Sequence, residues 1–220
     1  HGQGKLAFPE VVADGLADHR GEATVVQQII DDLEGAAEPA PVFAHRVGNR
    51  IVIRRCIGAG ARGRFEQRSR LGFDLDAALN AMVLLSVHVP DEAYTAPILG
   101  SERSGNGCVI GDDALVLTIG YLITEAQTIW ITDHRGRSVP GHALGVDFAS
   151  GLGLVLPAMP LDAPALTRGG SADAAIGDDL LMLAHGGMGH SLATRLDERK
   201  TFAGYWEYVL DEALYTSPAH

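Results

Sequence analysis

The serine side chains are the first candidates to consider, because a serine hydroxyl can act as the nucleophile in covalent catalysis. A hydrolase nucleophile often sits in the motif G-x-S-x-G, because the tight turn that exposes its hydroxyl needs glycine on both sides. None of the nine serines has both glycines. Ser171 comes closest, in residues 169–173, and fails at Asp173. The sequence therefore predicts no nucleophile of this kind.

Nine histidines suggest a metal site or a general base. His185 and His190 flank the glycine-rich run 186–189, which predicts a loop, so the pairing of two ligands on one helix face does not apply. Neither Cys-x-x-Cys nor His-Glu-x-x-His occurs. We therefore expect surface or loop histidines and no metal. An unusual enzyme site stays open as an alternative, with five candidate side chains: His142, His185, His190, Asp147 and Ser150.

Residues 58–63, Gly-Ala-Gly-Ala-Arg-Gly, match the dinucleotide-binding pattern G-x-G-x-x-G and follow a predicted strand. That fingerprint needs a helix to start at the third glycine, because the helix N-terminus holds the pyrophosphate. Residues 64–70 have no apolar stripe, and no second strand–helix unit follows. The pattern therefore predicts a flexible loop and no cofactor.

The charge distribution is uneven. A net charge of −11 argues against nucleic-acid binding, because phosphate repels an acidic surface. Eight of the 17 basic residues are arginines between residues 46 and 70, opposed there only by Glu66. This segment is either a solvated connector or a contact surface for an anion or an acidic partner. The candidate contact residues are Arg46, Arg50, Arg54, Arg55, Arg62 and Arg64.

Two cysteines, Cys56 and Cys108, are too few for a disulfide framework. We expect two buried or free thiols, and a single bridge stays open. A membrane-spanning helix needs about 18 consecutive apolar residues, and no such run occurs, so no membrane span is expected. The sequence has no recognisable signal peptide, which says nothing about export.

The elements that must position these side chains differ along the chain. Residues 23–33 place five apolar side chains on one helical face, which predicts a short amphipathic helix, and residues 38–41 read as a linker. Residues 50–57 predict a strand. From residue 77 onward, short apolar runs alternate with turns, which favours an all-β barrel or sandwich. The predicted strands are 82–89, 108–110, 114–119, 128–132, 151–156 and 180–184.

Residues 105–123, G-N-G-C-V-I-G-D-D-A-L-V-L-T-I-G-Y-L-I, resemble a segment of trypsin-like serine proteases of the HtrA type. That segment runs G-S-G, then apolar residues and a turn, then V-L-T-x-x-H. Gly105 and Gly107 match the two glycines, and residues 116–118 match V-L-T. The catalytic histidine of the family lies three residues after this threonine. Tyr121 stands at that position.

The resemblance continues towards residue 220. Residues 147–155 resemble D-x-x-x-D-L-A-L-L, with Gly151 at the position of the catalytic aspartate. Residues 177–186 resemble G-D-x-V-x-A-I-G, which starts the second barrel of the family. The nucleophile segment G-N-S-G-G does not occur, and residues 215–220 resemble the run just before it.

This resemblance implies a trypsin-like double β-barrel whose second barrel need not be complete. A short α/β N-terminal extension precedes it, which divides the chain into residues 1–73 and residues 74–220. It also implies that no triad residue is present. A phenol with an ordinary pKa of about 10 is a poor base at neutral pH, and a glycine cannot orient one.

We therefore expect a pseudoprotease that binds a peptide or protein ligand, in the periplasm or another exported location. Two alternatives stay open. One is a serine endopeptidase with a non-standard site or with its nucleophile beyond residue 220. The other is an interaction module that uses the arginines of residues 46–70.

Overall fold

The computed structural model describes residues 45–47 and 50–54 by their backbone, and then residues 73–111, 113–166, 169, 171–203 and 209–218. The helix predicted for residues 23–33, the linker 38–41 and the loop 58–63 lie outside the described residues. No helix in the described ranges is long and apolar enough to cross a membrane.

A short helix leads into the first barrel. Helix α1 (Leu75–Asn80) begins after Asp74, whose carboxylate accepts a hydrogen bond from the Ala77 amide at 3.0 Å and so caps the helix N-terminus. Its apolar side chains Leu75, Ala78 and Leu79 are buried. The helix therefore packs on the core and fixes the start of the first strand of the barrel.

Six antiparallel strands close into a barrel in the order β3-β4-β5-β8-β7-β6. They are β3 (Met82–His88), β4 (Glu102–Val109), β5 (Val116–Ile119), β6 (Thr128–Thr132), β7 (Ser138–Asp147) and β8 (Leu152–Pro157). Helix α2 (Ala96–Leu99) lies between β3 and β4, and helix α3 (Gly120–Ile123) follows β5 directly.

Aliphatic side chains fill the barrel interior. Strand β6 alternates exposed and buried positions, as expected of a strand with one face in the core. The buried cluster includes Val83, Leu85, Val87, Ile129, Ile131 and Val155. A Cβ on Gly107 would lie 2.6 Å from Cγ1 of Val116, so β4 and β5 approach each other too closely for any larger residue.

A second antiparallel sheet combines strands from before and after the barrel in the order β1-β2-β9-β10-β11. Its strands are β1 (His45–Val47), β2 (Arg50–Arg54), β9 (Asp179–Leu183), β10 (Leu192–Ala203) and β11 (Val209–Ser217). Strand β2 pairs with β9, and the outer strands β1 and β11 lie beside each other. Residues before 73 thus contribute two strands to this sheet, while the division of the chain at residue 73 stays a prediction.

The predicted fold class is confirmed. A closed six-stranded barrel together with a second antiparallel sheet is the architecture that a trypsin-like double barrel implies, and among the described residues the outer strands of the second sheet are not hydrogen-bonded to each other. The strand predicted for residues 128–132 has the observed bounds. The strand predicted for residues 108–110 was too short, because β4 already begins at Glu102. Strands β1, β7, β10 and β11 were not predicted.

Candidate functional site

The end of β5 meets the β7–β8 turn at a cleft on the barrel. Helix α3 begins at Gly120, whose amide donates a hydrogen bond to the Gly151 carbonyl at 2.8 Å. A Cβ on Gly120 would lie 2.4 Å from Cγ1 of Val146, so glycine permits this approach. Tyr121 and Gly151, the two positions that the resemblance singles out, therefore line one cleft of about 260 Å³.

Asp147 holds the turn that carries Gly151. Its carboxylate accepts hydrogen bonds from the amides of Ala149 at 3.1 Å and Ser150 at 2.8 Å. Burial alone would raise the pKa of Asp147, but the hydrogen bonds from Ser150 and Ala149 outweigh it and keep the pKa below its ordinary value. Gly151 has a φ of 71°, which favours glycine. Asp147 and Ser150 therefore shape the turn.

The walls of the cleft are largely apolar and include three aromatic rings. Its lining includes Tyr94, Leu99, Tyr121, Val146 and Phe148. Tyr94 is 84% exposed and Phe148 is 67% exposed, so two large rings face solvent beside the cleft. Clustered exposed rings of this kind mark surfaces that bind a ligand or a partner.

Glu125 contributes a carboxylate to the cleft lining. Its Oε1 accepts a hydrogen bond from the Tyr94 amide at 3.0 Å, and its Oε2 accepts two from Thr95, from the amide at 2.7 Å and from the hydroxyl at 2.6 Å. The Thr95 hydroxyl first, and then the Thr95 amide, hold the pKa of Glu125 below its ordinary value. The group is therefore ionised at neutral pH.

Arg103 lies buried behind the cleft. Its guanidinium donates hydrogen bonds to the carbonyls of Gly100 at 2.9 Å, Tyr121 at 2.7 Å and Thr124 at 3.1 Å, and to the Thr95 hydroxyl at 2.7 Å. Carbonyls at the end of a helix lack partners within the helix. Arg103 supplies such partners and so joins helix α3 to the loop that contains Thr95.

The cleft lining holds few side chains that could abstract a proton. Its lining in the described part of the chain offers the phenols of Tyr94 and Tyr121 and the carboxylate of Glu125, and no imidazole. A phenol ordinarily holds its proton at neutral pH, with a pKa of about 10. A carboxylate whose pKa lies below its ordinary value is a weak general base.

His185 lies at the contact between the barrel and the second sheet. Its amide donates a hydrogen bond to Oδ1 of Asn106 at 2.8 Å, and its Nε2 lies 2.9 Å from the carbonyl oxygen of Asp133. Asp133 precedes β7, whereas Ser150 follows it. Strand β7 has 10 residues and so spans about 30 Å. The structure therefore does not bring His185 to Ser150.

The other two candidate bases do not converge on the turn either. His142 is exposed on β7, five residues before Asp147, which places the two about 16 Å apart along the strand. His190 is exposed at the end of a 3-10 helix (Gly187–His190), close to Gly186. Among the described residues, the structure therefore does not bring these candidate side chains together as an unusual enzyme site.

The arginines proposed as an anion contact are only partly placed. The backbones of Arg46, Arg50 and Arg54 lie on β1 and β2. Three others, Arg55, Arg62 and Arg64, lie outside the described residues. The contact surface stays a prediction.

Cys108 is a free, buried thiol on β4, and burial raises its pKa to about 12. Cys56, with which a single bridge was left open, lies outside the described residues. Within the described ranges, no group of three or more His, Cys, Asp or Glu side chains is placed to hold a metal ion.

Several residues of the cleft region belong to no motif and were not identified from the sequence, among them Tyr94, Thr95, Glu125 and Arg103. A signal for Arg103 existed. Strand side chains alternate between faces, so Arg103 shares a face with the matched glycines Gly105 and Gly107. That face is buried. A lone arginine on a buried face needs several acceptors, which predicts a structural anchor.

No protein-family model matches the chain, and no curated protein matches it. Among solved structures, the chain is similar to one described as "HtrA-type protease AlgWS227A with tripeptide". The TM-score is 0.45 and the sequence identity is 16%. The similarity covers 60% of this chain and 40% of that chain, so this chain spans less than half the length of that protease.

Proposed function

We propose that this protein is a trypsin-fold relative of the HtrA-type proteases that binds an extended peptide without cleaving it by a Ser-His-Asp triad. The observation that carries the proposal is the cleft at the end of β5. There Tyr121 and Gly151 stand together at the positions that the resemblance assigns to the imidazole and the carboxylate. An exported location belongs to the same proposal.

The agreement between motif and geometry supports this proposal. The two matched segments, residues 105–123 and 147–155, are separated by 23 residues, and they fall on β4 to α3 and on the β7–β8 turn with the first part of β8. These elements meet through the hydrogen bond between Gly120 and Gly151. A chance match of each short motif gives no reason for the two segments to meet at one cleft.

The chemistry of the two positions argues against triad catalysis. A serine hydroxyl becomes a nucleophile when an imidazole takes its proton and a carboxylate holds that imidazole. Removing the histidine from such a triad costs on the order of 10⁶ in kcat. Tyr121 and Gly151 supply neither function, whatever serine approaches them.

Peptide binding remains within reach of the same cleft. Burying one large apolar side chain of a ligand against walls such as Leu99, Val146 and Phe148 gains about 1.5 to 3 kcal/mol. An extended peptide presents such side chains at every second position and can also add main-chain hydrogen bonds. Affinity then needs no reacting group.

The catalytic half of the proposal is tested by incubating the protein with casein and with a serine-directed fluorophosphonate probe. We expect no cleavage products and no covalent labelling by intact-mass measurement. Trypsin in parallel shows that the reagents work. A labelled serine together with cleavage that the probe abolishes contradicts the proposal.

The binding half is tested by selecting peptides from a random phage-displayed library and measuring their affinity by fluorescence anisotropy. Selected peptides should shift the amide resonances of Tyr121 and Gly151. The Phe148→Ala variant should bind the selected peptides about fivefold or more weakly, because the ring lines the cleft. The matched control is Ile176→Ala, whose side chain is 66% exposed in the turn before β9 and should leave affinity unchanged. Peptides that bind equally to both variants and shift other resonances contradict the proposal.

A further inference from the structure

The Glu125 carboxylate has room for one more hydrogen-bond donor in the cleft. An ionised carboxylate offers about four acceptor sites on its two oxygens. Oε2 receives two described hydrogen bonds from Thr95, and Oε1 receives one from Tyr94. The remaining site is on Oε1, and Glu125 lines the cleft.

This carboxylate is held in place before any ligand arrives. Two backbone amides and one hydroxyl bind it, and Arg103 fixes the Thr95 hydroxyl in turn. A preorganised acceptor loses little side-chain entropy on binding, which favours affinity. The Arg103 guanidinium offsets part of the Glu125 charge, although its described donors point to carbonyls and to Thr95. The ligand must therefore gain from the cleft walls as well.

The walls of the cleft supply this additional binding free energy when the ligand is a cation. Tyr94, Tyr121 and Phe148 line the same cleft as Glu125. An aromatic face attracts a cation by about 0.5 to 2 kcal/mol, more as the site becomes drier. A planar guanidinium stacks on rings and is less strongly hydrated than an ammonium group. The net charge of −11 also favours the approach of a cation.

We propose that the cleft binds an arginine side chain of the peptide ligand, with its guanidinium donating to Oε1 of Glu125 and lying against the aromatic rings. This inference rests on the proposed function, since the peptide delivers the arginine. It adds a specificity: the cleft selects a positive charge attached to an apolar stem.

The test compares two single-residue probes, N-acetyl-arginine methylamide and N-acetyl-citrulline methylamide, which have nearly the same shape and differ in charge. Each is titrated into the ¹⁵N-labelled protein. We expect the arginine probe to shift the Tyr94 and Thr95 amides and to bind about tenfold or more tightly than the citrulline probe, as expected for a charge-assisted hydrogen bond. Added salt should weaken the binding of the arginine probe and leave the binding of the citrulline probe unchanged.

Variants assign the preference to the carboxylate. Glu125→Gln should abolish the difference between the two probes. Glu102→Gln, which changes an exposed carboxylate bound to His88, should retain it. Should Glu125→Gln fail to fold, Tyr94→Ala is the second variant, because its ring is 84% exposed, and it should reduce the preference about threefold.

The outcomes separate this inference from the function on which it rests. Equal binding of the two probes, binding of neither, or a preference that survives Glu125→Gln overturns the arginine site. Library-selected peptides that still shift Tyr121 and Gly151 then leave peptide binding intact. If those peptides also fail, the proposed function is wrong as well.

Discussion

At the level of single residues, Thr95 controls the protonation of the cleft carboxylate. Its hydroxyl is the main reason that the pKa of Glu125 lies below its ordinary value. We expect Thr95→Val to raise the pKa of Glu125 towards that value, measured by ¹³C NMR titration of the side-chain carboxyl. Thr132→Val is the control, because its hydroxyl lies 2.8 Å from the Ser138 hydroxyl on the barrel surface. An unchanged pKa of Glu125 in Thr95→Val contradicts this assignment.

Thr95 also makes the free energy of unfolding depend on pH in the acidic range. Because the pKa of Glu125 is lowered in the folded protein, its contribution to stability is present above the pKa of the unfolded chain. It is lost as the pH falls through the folded pKa. Thr95→Val should therefore show a smaller decrease in stability on acidification than the parent protein, measured by urea unfolding at a series of pH values.

Asp133 is a buried carboxylate that organises the β6–β7 turn. It accepts hydrogen bonds from the amides of Arg135 and Arg137, each at 2.9 Å, and from the Arg137 side chain. Burial alone would raise the pKa of Asp133, but these hydrogen bonds outweigh it and lower the pKa. Asp133→Ala leaves those donors without their acceptor, which should destabilise the protein by about 2 to 4 kcal/mol in urea unfolding.

The control for that variant is Asp162→Ala. Asp162 forms an exposed ion pair with Arg135 at 2.7 Å, and pairs of this kind contribute about 0 to 1 kcal/mol. A loss in Asp162→Ala as large as that in Asp133→Ala would show that the buried hydrogen bonds are not what stabilises the turn.

Which residues of the site were predictable follows from how each acts. Tyr121 and Gly151 stand at fixed offsets within short motifs, so the sequence alone identifies them. Glu125 reaches the cleft because it binds Thr95, 30 residues earlier in the chain. That contact depends on how the loop after β3 folds back over α3. No local pattern encodes such a contact, so Glu125 could not be found from spacing.

At the level of the elements, the position of helix α3 depends on one small residue. A Cβ on Gly120 would lie 2.4 Å from Cγ1 of Val146 and 3.3 Å from the Gly151 carbonyl oxygen. Gly120→Ala should therefore destabilise the protein by about 1 to 3 kcal/mol, because the Val146 side chain must move to relieve the clash. It should also shift the amide resonances of Tyr121 and Gly151. Urea unfolding and NMR measure the two effects.

Two further variants test that explanation. Gly189→Ala places a methyl group where no atom lies within 4 Å, so stability should change little. Combining Gly120→Ala with Val146→Ala removes the side chain that the new methyl group would meet, so part of the loss should be recovered. A double variant that is less stable than the sum of the two single changes contradicts the steric explanation.

Strands were predictable where one face is buried. Strand β6 alternates clearly and was predicted with its observed bounds, whereas seven of the 12 positions of β10 are exposed and five carry charged side chains. Strand β7 contains Pro140 and two glycines, which mask a strand pattern. The pairing of β2 with β9 joins residues more than 100 positions apart. Strand pairing of this range depends on tertiary contacts that no local window contains.

On the scale of the whole molecule, one hydrophobic cluster joins the two sheets. It contains Leu117 and Leu154 of the barrel together with Leu181 and Leu183 of β9, and helix α1 packs on it through Leu75. Since elements that share a core lose their packing together, the barrel and the second sheet should unfold in one transition. Leu183 is fully buried, and Leu183→Ala should cost about 2 to 5 kcal/mol.

The measurement uses reporters in different parts of the chain. In a Trp206→Phe background, the fluorescence of Trp130 on β6 reports the barrel, and far-ultraviolet circular dichroism reports all strands. Leu183→Ala should lower the urea midpoint by the same amount for both probes, because a cavity in β9 also removes contacts from the barrel. Ile98→Ala changes a side chain that is 63% exposed. The free energy of unfolding from either probe should therefore change by no more than about 0.5 kcal/mol. If Trp130 keeps its midpoint while the circular dichroism transition moves, the barrel folds independently and the cluster does not couple the two sheets.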